Sequence, residues 1–175
     1  RKVLKEKNLS SIDIANLNSP SQTVISGLKE DIEAAQTIFE EAGALRYVVL
    51  KVSGAFHSRY MKEAQDKFGE FMNQFEFKKP EITVISNLYA RPYKAKNLRE
   101  TLLGQITSSV RWTETIRYIW GKDENVDIVQ IGPGNVLKGL TRGIKRDCQP
   151  LIVNDEDDFD DTDDAIEESG VEIEE

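Results

Sequence analysis

The clearest indication of the fold is the stretch Arg46-Tyr47-Val48-Val49-Leu50-Lys51-Val52, followed by Ser53-Gly54-Ala55-Phe56-His57-Ser58. Its first seven residues are almost continuously apolar or β-branched, which is typical of a strand buried on both faces of a sheet. Small residues come next, and a helical pattern of apolar residues begins behind them at Met61. The unit therefore predicts a strand, a turn and a helix, the order expected in an α/β sheet with parallel strands.

Similar segments recur along the chain. A short extended run at 12–15, which we expect to end in a turn at Asn16–Pro20, is followed by a second strand at 23–26. Strands that alternate with helices on this rhythm predict an α/β or α+β fold with a largely parallel sheet. Further strands are predicted at 82–85 and 126–131, and helices at 29–39, 61–75, 97–105, 113–120 and 136–145.

Composition limits the class of protein. With 175 residues, 39% of them hydrophobic, the chain is one domain or a large piece of one. Its single cysteine, Cys148, excludes an internal disulfide and favours a reducing compartment. No apolar run reaches the length of a membrane span, and the first seven residues lack the apolar stretch of a signal peptide. We therefore expect a cytoplasmic protein without a membrane partner.

Charge is distributed unevenly. The 21 residues from Asp155 to Glu175 hold 13 acids and no Lys or Arg, so the net charge of −8 divides into −13 there and +5 in the first 154 residues. Such an acidic block predicts a disordered tail or linker, with an acidic docking tail as the alternative. We expect its removal to leave folding and partner affinity intact. The overall acidity argues against nucleic-acid binding, which needs concentrated Lys and Arg.

His57, the only histidine, is the candidate base. It follows a predicted strand among small residues and opens a helix, at the sheet edge where α/β proteins bind ligands. A nearby carbonyl or carboxylate that fixed its tautomer would let it deprotonate a hydroxyl. The alternative is a helix-capping or surface imidazole.

Other candidates are less specific. Gly132-Pro133-Gly134-Asn135 suits an anion-binding turn or, more simply, a tight strand-to-helix turn, and it lacks the spacing of a nucleotide motif. Asn16 and Asn18 could bind a ligand amide or hold an Asx turn. Phe68, Phe71 and Phe75 have helical spacing, which predicts core positions. No His, Cys and carboxylate group has metal-binding spacing, so no metal is expected.

No nucleophile is evident beside His57. The sequence contains no Gly-x-Ser-x-Gly string, in which glycines would let a serine occupy a strained turn. Cys148 lies late in the chain, and nothing in the sequence pairs it with His57.

Four separated motifs together resemble one family. They are Asn16-Leu17-Asn18-Ser19-Pro20-Ser21-Gln22-Thr23-Val24-Ile25-Ser26-Gly27, Gly54-Ala55-Phe56-His57-Ser58, Val110-Arg111-Trp112 and Ile131-Gly132-Pro133-Gly134-Asn135-Val136-Leu137. In this order they are similar to malonyl-CoA:acyl carrier protein transacylases, including the acyltransferase domains of polyketide synthases. The stretch from Ser53 to Met61 is most similar to the trans-acting type, and the resemblance runs from about Ile12 to Leu151.

The resemblance implies a divided architecture. In the family an α/β-hydrolase-like large subdomain carries the active-site serine, and a ferredoxin-like small subdomain is inserted into it. Residues 1–50 would belong to the small subdomain and 51–153 to the C-terminal part of the large one. Residues 154–175 would form the acidic linker or tail.

The resemblance also implies a reaction and its residues. A serine takes malonyl from coenzyme A, and the phosphopantetheine thiol of an acyl carrier protein then removes it, in polyketide or fatty acid biosynthesis. His57 matches the catalytic base, and Gln105 the residue whose main-chain carbonyl holds the imidazole. Phe56 matches a position that favours malonyl over methylmalonyl, and Asn18 an asparagine near the pantetheine entrance. Malonyl-CoA is a substrate, and no cofactor or metal is implied.

The chain departs from the family in what it lacks. The serine elbow, the arginine that pairs with the malonyl carboxylate and an oxyanion glutamine all precede the region of resemblance. We therefore expect the chain to be inactive alone and to need an N-terminal half of the same acyltransferase. Two alternatives remain open: a proofreading hydrolase that removes acyl groups from carrier proteins, and a docking or structural module without a nucleophile.

Overall fold

A computed structural model describes residues 1–154 of the chain. The acidic segment Asp155–Glu175, for which a tail or linker is predicted, lies outside the described residues. The elements in chain order are α1 (Lys2–Glu6), β1 (Asp13–Ser19), β2 (Gln22–Ser26), α2 (Lys29–Glu41), α3 (Lys62–Met72), α4 (Leu98–Thr107), α5 (Trp112–Lys122) and α6 (Val136–Asp147). Single 3₁₀ turns, Arg59–Met61 and Ala95–Asn97, precede α3 and α4.

The two strands form an antiparallel hairpin. Asp13 stands opposite Ser26 at one end and Ser19 opposite Gln22 at the other. The strand β1 therefore runs through Asn16–Ser19, and the turn predicted at Asn16–Pro20 is wrong: the chain reverses only at Pro20 and Ser21. A parallel contact continues the sheet by one residue, because Val110 bonds through its backbone to Ala15 and Leu17 at 2.8 and 2.9 Å.

Three predicted strands do not form in the described part of the chain. Residues 46–52, 82–85 and 126–131 are not assigned to strands, apart from one isolated bridge between Ile85 and Pro92. Their apolar side chains are largely exposed, as at Val129 (72%) and Ile131 (96%). A strand exists only when a neighbouring strand takes its backbone N–H and C=O groups. The prediction of a largely parallel sheet is therefore wrong for residues 1–154.

Helices pack around the hairpin. Strand β1 contacts α5 and α6, and α3 packs against α4. The buried core comes from several of these elements: Ile12, Ala15, Ala35, Met72, Leu98, Ile116, Tyr118 and Ile144. The helices predicted at 29–39, 97–105, 113–120 and 136–145 correspond to α2, α4, α5 and α6.

Helix α3 differs from its prediction in length and in its buried face. It ends at Met72, and Met72 is its buried residue. Phe68, Phe71 and Phe75, predicted as core, are 40%, 52% and 53% exposed, and their rings pack on one another. The face that meets α4 instead carries Gln65, which donates to the Leu103 carbonyl at 2.8 Å, and Gly69, which lies opposite the Leu103 side chain.

Candidate active site

The turn that carries His57 is tightly built. His57 has φ +57, in the left-handed region that non-glycine residues seldom occupy. The next residue, Ser58, is fully buried; its hydroxyl donates to the Ala55 carbonyl and accepts the Tyr60 N–H at 3.3 Å. Ser58 thereby caps the 3₁₀ turn that leads into α3. These hydrogen bonds fix the backbone from which the His57 side chain extends.

His57 meets Gln105 across 48 residues of sequence. Nδ1 of His57 lies 2.9 Å from the main-chain oxygen of Gln105. A carbonyl oxygen can only accept, so Nδ1 must carry the proton of this hydrogen bond. In the neutral ring the lone pair is then on Nε2. The geometry gives His57 a defined tautomer with Nε2 as the basic atom.

The position of Gln105 explains why its carbonyl is available. Gln105 lies in the last turn of α4, where carbonyls have no helical N–H partner. The same helix end carries a partial negative charge from the aligned peptide dipoles. An imidazolium that forms at His57 would therefore be stabilised by a neutral carbonyl at a helix end, without a carboxylate partner.

Phe56 and Asn18, the other two candidate residues, have different surroundings. The Phe56 ring is 45% exposed and packs over Gly54, where an added Cβ would lie 3.8 Å from its Cζ. Asn18 lies on β1 and donates from its amide to the Gln22 side chain at 3.1 Å, across the hairpin. Asn16 is the β1 residue bridged to Val110. Phe56 is thus beside the imidazole in sequence, whereas Asn18 is bound within the hairpin.

Hydrogen bonds that the sequence did not reveal hold the turn to the hairpin. Ser26 donates from its hydroxyl to the Phe56 carbonyl at 2.8 Å. Asp13 accepts from the Arg59 backbone N–H at 2.9 Å and from its guanidinium at 3.0 and 3.1 Å. Tyr60 donates from its hydroxyl to the Ser11 carbonyl at 2.8 Å. A separation of 30 to 49 residues leaves no periodic signal for such pairs.

The motif Val110-Arg111-Trp112 supports the same region. Arg111 donates its backbone N–H to the Asn87 carbonyl at 3.1 Å, and Asn87 reaches the Gln105 side chain at 3.4 Å. Glu114, on the first turn of α5, accepts from Arg111 at 2.9 Å and from Arg91 at 3.2 Å. These bonds join the loop after residue 85 to α4 and α5.

The Gly132-Pro133-Gly134-Asn135 turn is occupied by the chain itself. The Gln130 side chain donates to the carbonyls of Pro133 and Gly134 at 3.4 and 3.2 Å. Its oxygen accepts the Lys138 N–H at 3.1 Å, in the first turn of α6. Gly132 and Gly134 both have positive φ, 121 and 86, which glycine tolerates. These contacts favour the tight-turn interpretation over an anion site.

Two features are absent from residues 1–154. In that part of the chain no group of His, Cys, Asp and Glu is placed to hold a metal ion. None of the helices described there is long and apolar enough to cross a membrane.

The site geometry and the motifs define an acyltransferase-type chain. The sequence matches the acyl transferase domain family over residues 4–155, and the chain belongs to that family. Its relatives include the polyketide biosynthesis malonyl CoA-acyl carrier protein transacylase PksC of Bacillus subtilis, which is 48% identical over 86% of this chain and 52% of PksC. The resemblance stated from the four motifs is thereby confirmed.

Solved structures agree. A malonyl CoA-acyl carrier protein transacylase from Burkholderia pseudomallei has a TM-score of 0.76 and 40% identity, covering 83% of this chain and 51% of that one. A type II polyketide synthase acyl-carrier protein in complex with its malonyl-transacylase, PlMCAT:AntF, gives 0.76 and 35%, covering 87% and 50%. The chain spans about half the length of the proteins that it matches.

Proposed function

We propose that the chain is the histidine-bearing part of an acyltransferase that moves malonyl from coenzyme A to the phosphopantetheine thiol of an acyl carrier protein. The observation that carries the proposal is the 2.9 Å contact between Nδ1 of His57 and the Gln105 carbonyl, which leaves Nε2 free to act as a base. The family membership and the names of the relatives give the substrate class. Polyketide or fatty acid biosynthesis is the process proposed.

The proposed chemistry needs a nucleophilic serine, and the sequence contains no Gly-x-Ser-x-Gly string that would carry one. In the proposed reaction a serine comes from the N-terminal half of the same acyltransferase, hereafter the completing half. Nε2 of His57 takes the proton of this serine as the serine oxygen attacks the malonyl thioester carbonyl. The coenzyme A sulfur leaves and receives that proton. In the second half Nε2 takes the proton of the carrier-protein thiol, the thiol attacks the serine ester, and the proton returns to the serine. The chain alone is expected to be inactive.

The completing half also accounts for the exposed extended segments. Residues 46–52 and 126–131 have the apolar character of buried parallel strands, with Val52 and Val129 62% and 72% exposed. We propose that residues 1–50 belong to a ferredoxin-like small subdomain and 51–153 to an α/β-hydrolase-like one, with the strand-like run 46–52 at their boundary and 126–131 as a strand of the second. Strands from the completing half would satisfy the backbone groups and cover the side chains.

The partners follow from the same chemistry. Coenzyme A carries phosphates and carrier proteins are usually acidic, which suits a net charge of +5 on the first 154 residues. The Phe56 ring beside His57 would narrow the space around the substrate α-carbon and so favour malonyl over methylmalonyl. Asn18 is proposed to lie near the pantetheine. Neither a metal nor a resident cofactor takes part, and a cytoplasmic location stays a prediction.

The test is reconstitution. The chain is co-expressed with the N-terminal half of its PksC relative or with the upstream part of its own reading frame, and malonyl loading of a carrier protein is measured by mass spectrometry. We expect loading only with both halves, with malonyl-CoA used better than methylmalonyl-CoA. His57→Ala should lower the rate about 10²- to 10⁴-fold. Gln36→Ala, which removes an exposed bond to Glu40 on α2, is the control.

Each outcome discriminates. Full transfer by His57→Ala would overturn the assignment of the base. Release of free malonate or acetate without carrier loading would favour the hydrolase. A complex that assembles and performs neither reaction would leave the docking module as the function.

A further inference from the structure

The backbone at His57 needs external support. A left-handed φ of +57 at a residue with a Cβ costs on the order of 1 kcal/mol. Such a conformation persists only where surrounding contacts determine it. The Ser58 hydroxyl supports the turn from within, but its two hydrogen bonds reach only Ala55 and Tyr60. None of these bonds links the turn to the β1–β2 hairpin, so contacts from outside the turn can add to its support.

Besides the Tyr60–Ser11 hydrogen bond, that outside support includes one pair of opposed hairpin residues. Asp13 on β1 and Ser26 on β2 are direct cross-strand partners. Ser26 binds the carbonyl of Phe56, the residue before His57. Asp13 binds the backbone N–H of Arg59, two residues after His57. The pair therefore forms hydrogen bonds to the main chain on both sides of His57.

Asp13 makes the stronger of the two contacts with the turn. Its carboxylate accepts from the Arg59 guanidinium as well as from the Arg59 N–H, and its side chain is only 20% exposed. A charged, bidentate acceptor is about twice as strong as a neutral one. The Arg59 hydrogen bonds hold the pKa of Asp13 below its usual range, so the carboxylate stays ionised at neutral pH.

We propose that Asp13 and Ser26 are positioning residues for His57: they hold the residues on either side of it so that Nδ1 meets the Gln105 carbonyl. The inference rests on the proposed function in taking His57 as the base. It adds that the β1–β2 hairpin, which also carries Asn18, and the histidine turn form one mechanical unit. Loss of the Asp13–Arg59 or the Ser26–Phe56 hydrogen bond frees the ring to sample both tautomers and weakens catalysis, although neither Asp13 nor Ser26 contacts the substrate.

The test uses the fact that His57 is the only histidine in the chain. The untagged chain is labelled with ¹⁵N-histidine and reconstituted with the unlabelled completing half, so that one imidazole is observed. The variants are Ser26→Ala, Asp13→Ala, and Asp13→Asn, which keeps an acceptor for the Arg59 N–H. The matched control is Asp66→Ala, which breaks an exposed pair with Lys62 on α3. Imidazole ¹⁵N shifts report the tautomer, and circular dichroism reports folding.

We expect one Nδ1–H tautomer in the unaltered protein and in Asp66→Ala, and a mixture in Ser26→Ala and Asp13→Ala. The kcat for malonyl transfer should fall about tenfold in those two variants with KM changed less than about twofold, and Asp13→Asn should be intermediate. An unchanged tautomer and kcat in folded Ser26→Ala and Asp13→Asn would overturn the proposal, as would mixed tautomers in the unaltered protein. If the unaltered protein transfers no malonyl but the tautomer still responds, the proposed function fails and the positioning role stands.

Discussion

The acceptor for the His57 imidazole is a main-chain atom, so the side chain at position 105 is not part of that bond. We therefore predict that Gln105→Ala, in the reconstituted protein, keeps malonyl transfer within about tenfold of the unaltered rate, far above His57→Ala. Alanine keeps the helix and its carbonyl. The substitution removes the 3.4 Å hydrogen bond that the Asn87 amide donates to the Gln105 side chain. Steady-state kinetics check the prediction, with Asn87→Ala as the matched control because it removes the same hydrogen bond.

A rate for Gln105→Ala as low as that of His57→Ala would contradict this view of the site. It would mean that the glutamine amide itself contacts substrate or the imidazole during the reaction.

At this scale the sequence identified His57 as the candidate base and predicted the kind of hydrogen-bond partner that a base would need. His57 follows a strand-like run and opens a helix, and a carbonyl or carboxylate acceptor was expected from its chemistry. The identity of Gln105 came only from resemblance, because a bond across 48 residues leaves no local pattern. The sequence did not reveal the contacts of Asp13 and Ser26 for the same reason. The local sequence around a polar residue at a strand end is the same whether the residue faces solvent or another segment.

Helices and strands differ in how well the sequence predicts them, because they satisfy their backbone hydrogen bonds in different ways. Helices bond internally, so their apolar period alone predicted α2, α4, α5 and α6 within a few residues of their observed ends. Strands bond to other strands, and a pattern cannot say whether a partner is present. The runs at 46–52 and 126–131 have strand composition yet remain unpaired among residues 1–154. For helix α3 the phenylalanine spacing predicted the wrong buried face, since Gln65 and Gly69 lie against Leu103 of α4.

Helix α5 offers a test of packing against the chain's last described residues. The Leu151 N–H bonds to the Arg117 carbonyl at 2.9 Å, and a Cβ on Gly121 would stand 2.0 Å from the Leu151 carbonyl oxygen. The clashing atoms belong to the Leu151 main chain, which cannot rotate away as a side chain could. Gly121→Ala should therefore push the segment around Leu151 away from α5 and lower the free energy of unfolding of the chain by about 1–3 kcal/mol. Urea denaturation measures it.

The matched control is Gly139→Ala on α6, where no atom lies within 4 Å of an added Cβ. There the better helix propensity of alanine should raise stability by up to about 1 kcal/mol. Equal effects of the two substitutions would show that helix propensity, and not contact with Leu151, governs Gly121.

The link between the hairpin and the histidine turn should also show in acid. The Arg59 guanidinium lowers the pKa of Asp13 in the folded chain. A carboxylate with a lower pKa when folded stabilises the fold above its unfolded pKa, near 3.9, and this contribution disappears as pH falls through the folded pKa. Asp13→Asn should therefore be less stable than the unaltered chain by about 0.5–1 kcal/mol at pH 6.

That difference should shrink steadily below about pH 4. Urea titrations from pH 6 downward measure it, with Asp66→Asn on the exposed face of α3 as control. A difference that stays constant into acid would mean that the carboxylate charge does not contribute through Arg59.

On the scale of the whole molecule, residues 1–154 expose apolar side chains along two extended segments, 46–52 and 126–131. Val129 and Ile131, 72% and 96% exposed, stand on a stretch with no strand partner among residues 1–154. Apolar side chains in such a row mark a binding surface, and open backbone groups favour an added strand. Association with the completing half should therefore depend on these positions. The free energy of unfolding of the chain alone should not depend on them.

We predict that Val129→Lys leaves the free energy of unfolding of the chain alone within about 0.5 kcal/mol. Its affinity for the completing half should fall at least about tenfold, or about 1.4 kcal/mol, because an unpaired ammonium would be buried in the completed sheet. Leu45→Lys is the matched control, since Leu45 is fully exposed in the bend after α2, outside both extended segments. Isothermal titration calorimetry of the two halves measures the affinities. Equal affinities for Val129→Lys and Leu45→Lys would place the contact elsewhere and remove 126–131 from the proposed sheet.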